Sequence, residues 1–279
     1  MSTVQGFAAR ALAHVSARAQ GGPVDPAWSI TLNFHPDRSV AGLSILDAFA
    51  RSPGYRTQYE TATSNGGLTA YPGGDRWRWE QRIFGGAYDD ALAQARPRYG
   101  ALNHRGRAYG GVPRFGSAHL RLRAHTLARA TFCFPDSVFA PEHVGTAQQM
   151  ALTELADASG RDLLDDYVEA HVHGPVDLAA DVEALVLDPC YRETAVQDQA
   201  ERLPCPVQWH AGFVLDVDVA RRHRDYRGST YVDLAERLSR DGRLDPAMIG
   251  EAVAAGEHEP QALKRVWHYV ARFGYRSDG

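Results

Sequence analysis

Polar side chains at alternate positions mark one segment as a candidate for acid–base chemistry. Glu169, His171 and His173 are each separated by one apolar residue. In a β-strand such residues share one face and recur about every 7 Å. A carboxylate and two imidazoles in a row can move protons, stabilise a cation or bind a metal ion. The plainest interpretation is a solvated face of a half-buried strand, and two functional interpretations stand beside it.

A metal site is the first functional interpretation of this segment. His171 and His173 could be joined by a third histidine, and the candidates are His35, His119 and His210. The sequence contains neither HExxH nor CxxC spacing, so no established ligand pattern supports it. A His/Glu metal-dependent hydrolase is therefore an alternative function.

A ligand-binding cleft is the second interpretation, and it draws on polar residues earlier in the chain. His35 ends the first predicted strand, and Arg38 follows as a cation able to hold an anion. Residues 61–67 (TATSNGG) form a run of hydroxyl, amide and glycine residues that can meet a phosphate or a ribose. The members that we expect to contact a ligand are Ser64, Asn65 and Gly66. A hydrogen-bonded histidine and a plain turn are the structural alternatives.

Positive charge is concentrated between residues 96 and 129. Eight arginines and no acidic residue occur there, in a chain of net charge −4. They are Arg96, Arg98, Arg105, Arg107, Arg114, Arg121, Arg123 and Arg129. We expect some of them to meet an anion, either the pyrophosphate of a dinucleotide or a nucleic-acid backbone, and to form one wall of a cleft. The alternative is pairing with the acidic segment 162–166 of the chain itself.

Hydrophobic patterning predicts the elements that position these residues. Strands are predicted at 30–34, 56–61, 119–123, 130–134, 167–173, 182–187 and 207–210. Helices are predicted near 7–15, 43–49, 75–80, 146–156 and 193–203, and along most of the chain after Asp216, with Pro260 starting the last one. We therefore predict an α+β fold with an N-terminal helix over 1–24, a catalytic body over 25–215 and a helical C-terminal portion over 216–279.

Composition and charge exclude several classes of protein. With 44% hydrophobic and 23% charged residues, the chain is typical of globular proteins. The net charge of −4 argues against coating nucleic acid or anionic membranes through overall charge. Three cysteines without a CxxC pair indicate neither a disulfide scaffold nor a thiolate zinc site, and no apolar run approaches the ~20 residues of a membrane helix. We expect a cytoplasmic protein with no membrane partner.

Taken in order, these segments resemble the ADP-ribosyltransferase fold, in which a first-strand His or Arg holds the dinucleotide and a Glu opens a later strand. The stretch 169–175 (EAHVHGP), followed by 181–188 (DVEALVLD), is similar to the catalytic-Glu strand and the next strand of the DNA-modifying ADP-ribosyltransferase toxins and the RNA 2′-phosphotransferases. The body from His35 to His210 also resembles an uncharacterised bacterial family of similar length. The resemblance implies an ADP-ribosyltransferase-like split β-sheet body with flanking helices.

The resemblance also implies a function and a set of site residues. The activity would be that of an NAD-dependent mono-ADP-ribosyltransferase, or an NAD glycohydrolase, with NAD as substrate and a nucleic acid or protein as a possible acceptor. The role in the cell would be that of a toxin, a defence factor or a metabolic enzyme. The catalytic residues would be Glu169, which stabilises an oxocarbenium-like ribose, and His35, which holds the adenine-side ribose. The other NAD contacts would come from Arg38, Ser64, Asn65, Gly66, Tyr99, Asn103, Phe115, Ser117, His119 and His171.

One departure from the family pattern bears on the acceptor. Tyr167 stands two residues before Glu169, where arginine-modifying members carry a second Glu. We therefore expect a nucleophile other than arginine. A nucleotide-binding or nucleic-acid-binding module that uses the arginines without turnover is the non-enzymatic alternative.

Overall fold

A computed structural model describes residues 3–40, 42–52, 54–61 and 68–276, and these form twelve strands and ten α-helices. The strands are β1 (Ile30–Phe34), β2 (Ser39–Val40), β3 (Leu43–Ser44), β4 (Arg98–Leu102), β5 (Ala118–Leu122), β6 (Ala130–Phe134), β7 (His143–Thr146), β8 (Val168–Val172), β9 (Val182–Leu187), β10 (Val207–Trp209), β11 (Leu215–Asp216) and β12 (Arg243–Leu244). The helices are α1 (Thr3–Ser16), α2 (Ile45–Arg51), α3 (Gln58–Thr61), α4 (Asp75–Ile83), α5 (Leu152–Ala158), α6 (Ala195–Ala200), α7 (Val217–Arg222), α8 (Ser229–Leu238), α9 (Pro246–Ala255) and α10 (Pro260–Phe273).

Eight of the strands form one sheet in the order β10-β9-β5-β1-β4-β8-β6-β7, and every pair is antiparallel except β9 with β10. Apolar residues of α2, α5 and α6 pack on one face. Residues of α1 and α4 pack on the other face, over β6 and β7. Because both faces are covered, all five residues of β8 are buried.

The sheet opens between β1 and β4. These strands pair only at Ile30 with Leu102 and at Thr31 with Ala101, although β1 pairs with β5 as far as Phe34 and β4 pairs with β8 along its whole length. The space between residues 33–34 of β1 and 98–100 of β4 is called the wedge below. Gly100 makes the close approach at its vertex possible, since a β-carbon there would lie 2.5 Å from the Thr31 carbonyl oxygen.

The C-terminal helices α7 to α10 share a core of their own, to which Phe213 and Leu164 of the body contribute. Pro246 and Pro260 occupy the first turns of α9 and α10, where a missing N–H costs nothing. The indole Nε1–H of Trp267 in α10 donates to the Pro113 carbonyl at 3.0 Å, which fastens the last helix to the 3₁₀ turn at residues 113–115. Within the described ranges, no helix is both long and apolar enough to cross a membrane.

The α+β prediction is confirmed, and so are the strands near 30–34, 119–123, 130–134, 167–173, 182–187 and 207–210. The strand predicted at 56–61 is wrong. There Thr57 and Glu60 form a capping box, with Glu60 N–H donating to Thr57 Oγ1 at 3.2 Å and Thr57 N–H to Glu60 Oε2 at 2.8 Å, and this starts α3. The helix predicted from 146 begins at Leu152 instead, because residues 143–146 pair with β6.

Candidate functional site

A cavity of about 150 Å³ lies in the wedge. Its aromatic lining residues are Phe34, Phe49, Tyr55, Tyr99 and Phe115, and its charged ones are Arg56, Arg76, Arg98, Asp136 and Glu169. An apolar protein cavity of roughly this volume, 150 Å³, is large enough to hold benzene. The cavity therefore suits a single ring, with charged groups of both signs beside it.

Glu169 presents an ionised carboxylate to this cavity. The side chain is buried on β8, where Oε2 accepts hydrogen bonds from the Ser137 N–H at 3.3 Å and O–H at 3.0 Å. Oε1 lies 3.0 Å from His171 Nε2 and 3.9 Å from the Arg76 guanidinium. Burial raises the pKa of Glu169, but the His171 hydrogen bond and the Arg76 charge outweigh it, and the pKa falls below its usual range.

A hydrogen-bonded chain runs behind Glu169 through the buried face of the sheet. His171 Nδ1 lies 3.1 Å from Thr131 Oγ1, which lies 3.0 Å from His173 Nε2, and His173 Nδ1 lies 2.7 Å from the Tyr88 hydroxyl. With Glu169 ionised, one assignment satisfies every group: both histidines carry their proton on Nε2, and Thr131 and Tyr88 donate to the Nδ1 atoms. Burial lowers the pKa of both imidazoles, which agrees with neutral rings.

Arginines make the cavity wall positive. The Arg76 guanidinium carbon lies 4.2 Å from the centre of the Tyr99 ring, and Nη1 donates to Ser137 Oγ at 2.7 Å. Its buried Nε has no hydrogen-bond partner among the described residues. Arg98 is held by backbone carbonyls, including that of Tyr55 at 3.0 Å. Three arginines and two carboxyl groups give the site capacity for an anionic ligand.

Three of the predicted site residues line the cavity: Tyr99, Phe115 and Glu169. The Tyr99 hydroxyl donates to Glu80 Oε1 at 2.7 Å, which fixes the ring in the wall. His171 lies behind Glu169 and orients it without lining the cavity. The predicted contacts Ser64, Asn65 and Gly66 fall outside the described residues.

His35 and Arg38, which were predicted to contact the dinucleotide, do not line the cavity. Strand β1 ends at Phe34 and the chain turns there, with the Arg38 N–H donating to the His35 carbonyl at 3.4 Å. The turn carries the His35 ring to the C-terminal helices, where it packs edge-on against Trp267 at 4.9 Å between ring centres. Burial, with the Arg38 charge, lowers the pKa of His35 to about 3.

Asn103, Ser117 and His119 also lie away from the cavity lining. Asn103 closes its own loop, since its side chain donates to the Arg107 carbonyl at 2.9 Å and accepts the Arg107 N–H at 3.0 Å. His119 lies on β5, and Ser117 directly precedes this strand. Strand β1 separates β5 from the wedge. Strand order, which the sequence does not reveal, is the physical reason for this difference.

Seven of the eight central arginines contact carboxylates of the chain. The pairs are Arg96 with Glu80, Arg98 with Glu60, Arg105 and Arg107 with Asp166, Arg114 with Asp165, Arg121 with Glu183 and Arg129 with Asp181. Internal pairing, including the acidic segment 162–166, therefore accounts for most of the cluster. Of the eight, Arg98 lines the cavity, so the expected arginine wall is wrong as a whole.

The donor atoms of Cys133, Glu169 and His171 lie within 4.8 Å of one another and form one possible metal-binding set in the described part of the chain. Burial and the Glu169 charge raise the pKa of the Cys133 thiol well above its usual range, so this thiol is protonated as long as no cation is bound. The further ligands expected from the sequence were His35, His119 and His210. His35 follows β1, His119 lies on β5 and His210 follows β10. Strand β4 separates these three strands from β8, which carries Glu169 and His171.

Several residues of the site were missed in the sequence, among them Arg76, Asp136 and Ser137. Asp136 and Ser137 come after β6 with only Pro135 between, and polar residues just past a strand end are common in functional clefts, so this signal was available. Arg76 had no such signal. It lies on the short helix α4, which the sequence predicted as a helix without indicating a functional residue.

Sequence similarity to known proteins shows the family of the chain. No curated protein matches the chain. The family model described as "Protein of unknown function (DUF3626)" matches residues 29–158 and 148–272. Together these matches span the sheet, the cavity and the C-terminal helices, and the chain therefore belongs to the DUF3626 family.

Proposed function

We propose that the protein is an NAD-dependent ADP-ribosyltransferase, or an NAD glycohydrolase, that cleaves the bond between nicotinamide and ribose. The observation that carries the proposal is the position of Glu169, a buried carboxylate of lowered pKa in the wall of a cavity where the sheet opens. The opening between β1 and β4 is a feature expected of a split β-sheet, and it supports the ADP-ribosyltransferase-like fold as part of the same proposal.

The chemistry requires a fixed negative charge close to the ribose. As the glycosidic bond breaks, nicotinamide leaves with the bonding electron pair and positive charge develops at the ribose C1′. A carboxylate stabilises that charge best when it is already oriented and shielded from water. Ser137 and His171 hold both oxygens of Glu169 in place, so little reorganisation is needed in the transition state.

The lining of the cavity fits the parts of the substrate. The volume of about 150 Å³ matches one ring, and Phe115 in the lining suits the cationic nicotinamide ring. Arg56 and Arg76, which both line the cavity, supply positive charge for the pyrophosphate. Water, a nucleic acid or a protein serves as acceptor in this proposal.

Glu169→Gln tests the proposal, because it keeps the size of the side chain but removes its charge. We expect nicotinamide release from NAD to fall by about 10²–10³-fold while NAD affinity changes little, since the lost contact acts mainly in the transition state. Chromatography of nicotinamide and calorimetric titration with NAD measure the two quantities.

Glu183→Gln is the matched control, since Glu183 is an exposed residue of the next strand along the chain and pairs with Arg121 at 3.1 Å. It should leave both quantities unchanged. Turnover of Glu169→Gln at the wild-type rate, or a wild-type protein that releases no nicotinamide, would refute the proposed function.

A further inference from the structure

We propose that Asp136 is a second catalytic carboxylate of this site, which accepts the proton of the O–H or N–H nucleophile that attacks the ribose. This inference rests on the proposed function and adds to it the group that activates the acceptor. It concerns a residue that neither the strand pattern nor the resemblance had singled out.

The geometry places Asp136 beside Glu169. Both side chains line the cavity, and the intervening Ser137 donates two hydrogen bonds to Glu169. Asp136 caps the 3₁₀ turn at 137–139, where Oδ1 accepts the Val138 N–H at 2.5 Å. Oδ2 accepts the hydroxyl of Tyr167, the residue two positions before Glu169. Asp136 therefore presents its carboxyl group to the cavity beside Tyr167 and Glu169.

The surroundings shift the pKa values of Asp136 and Glu169 in opposite directions. The titratable and charged groups that face Asp136 are Glu169, Tyr167, Arg114, Lys264 and Cys133. Burial and the Glu169 charge raise the pKa of Asp136, against the opposing effects of the Tyr167 hydrogen bond and Arg114. The pKa of Glu169 is lowered. Two neighbouring carboxyl groups with opposite shifts are the usual sign of divided roles, here a base and a fixed charge.

The step balances without a further reactant. The bond from C1′ to the nicotinamide nitrogen breaks, and nicotinamide keeps the electron pair. A lone pair of the nucleophile forms the new bond to C1′, and the proton of the nucleophile moves to the Asp136 carboxylate. The products are nicotinamide and the ADP-ribosylated acceptor, or ADP-ribose when the nucleophile is water, and Asp136 then returns the proton to solvent.

Asp136→Asn in the full-length chain tests this role, with NAD as substrate and water as the nucleophile. Asparagine caps a turn as well as aspartate does, but it cannot take a proton. We expect nicotinamide release to fall by about 10²–10⁴-fold, the usual contribution of general base catalysis. The wild-type rate should fall as pH decreases through the pKa of Asp136, and the variant should lose this dependence.

Azide separates a catalytic role from a structural one, because this anion attacks without losing a proton. Azide should restore turnover of Asp136→Asn and yield the azido derivative of ADP-ribose, and it should not restore Glu169→Gln. Asp216→Asn is the matched control, since Asp216 caps α7 through the same contact two residues ahead, at 2.8 Å, and does not line the cavity.

Tyr167→Phe provides a second test of the role of Asp136. If Asp136→Asn does not fold, Tyr167→Phe should shift the acidic limb of the rate profile to higher pH, because it removes a hydrogen bond that lowers the pKa of Asp136. An unshifted limb, wild-type turnover of Asp136→Asn, or a slow Asp136→Asn that azide does not restore overturns the inference and leaves Glu169 in its role. A wild-type protein inactive toward NAD refutes the proposed function and this inference with it.

Discussion

The hydroxyl of Thr131 is the centre of the hydrogen-bonded chain behind Glu169, and its removal tests that chain. Thr131→Val keeps the shape of the side chain and a residue that suits a strand. It leaves His171 Nδ1 without a donor and the His173 Nε2–H without an acceptor, and all three side chains are at most 1% exposed. Each buried polar group left without a partner costs roughly 1–3 kcal/mol, so the free energy of unfolding should fall by about 2–6 kcal/mol.

Urea denaturation of the purified variants measures this loss. Thr126→Val is the matched control, since Thr126 is equally buried but its hydroxyl donates at 2.8 Å to the Arg123 carbonyl, which also accepts the Thr126 N–H. Removal of this hydroxyl leaves no polar group without a partner and should lower the free energy of unfolding by about 1 kcal/mol. If Thr131→Val loses no more stability than this control, the hydrogen-bonded chain behind Glu169 does not exist as described.

Two more predictions concern the stability of the whole fold. Burial lowers the pKa of several histidines, to about 3 for His35, His119 and His173 and to about 2 for His268. Below about pH 6.5 the unfolded chain protonates these rings, whereas the folded chain keeps them neutral. The free energy of unfolding therefore has its full value above about pH 6.5 and falls below it by about 1.4 kcal/mol per pH unit for each ring. Urea midpoints at several pH values check this, and a flat profile between neutral and acid pH would contradict it. Gly100→Ala should lower the free energy of unfolding by about 1–3 kcal/mol, because its β-carbon would lie 2.5 Å from Thr31 O and Leu32 Cδ2. Gly22→Ala, with nothing within 4 Å of the added carbon, should not lower it, and equal melting temperatures for the two variants would refute the close approach.

The strand that carries Glu169 could be predicted because its alternation is regular, and the shared face of Glu169, His171 and His173 is confirmed by their common contacts. The interpretation that this face is exposed to solvent is wrong. Helices α1 and α4 cover it, and they come from residues 3–16 and 75–83, far away in the sequence. Local patterning reports which residues share a face but not what lies opposite.

The wedge could not be predicted, because one of its two strands has no sequence signal. Residues 98–102 (RYGAL) lack the β-branched residues typical of strands, and β4 exists because β8 pairs along all of it. The end of β1 was predicted correctly, but the direction of the turn after Phe34 was not. That direction is set by the Trp267 contact, which joins residues more than 200 positions apart.

The hydrogen bond from Trp267 to the Pro113 carbonyl joins α10 to the turn that carries Phe115 into the cavity wall. A ligand that restrains this turn therefore also restrains the helix. Any coupling carried by this contact is reciprocal by thermodynamic linkage: a partner on α10 that shifts the turn and a ligand that shifts the helix change each other's affinity by the same factor. The C-terminal helices are thus part of the support of the cavity wall and not a separate unit beside it.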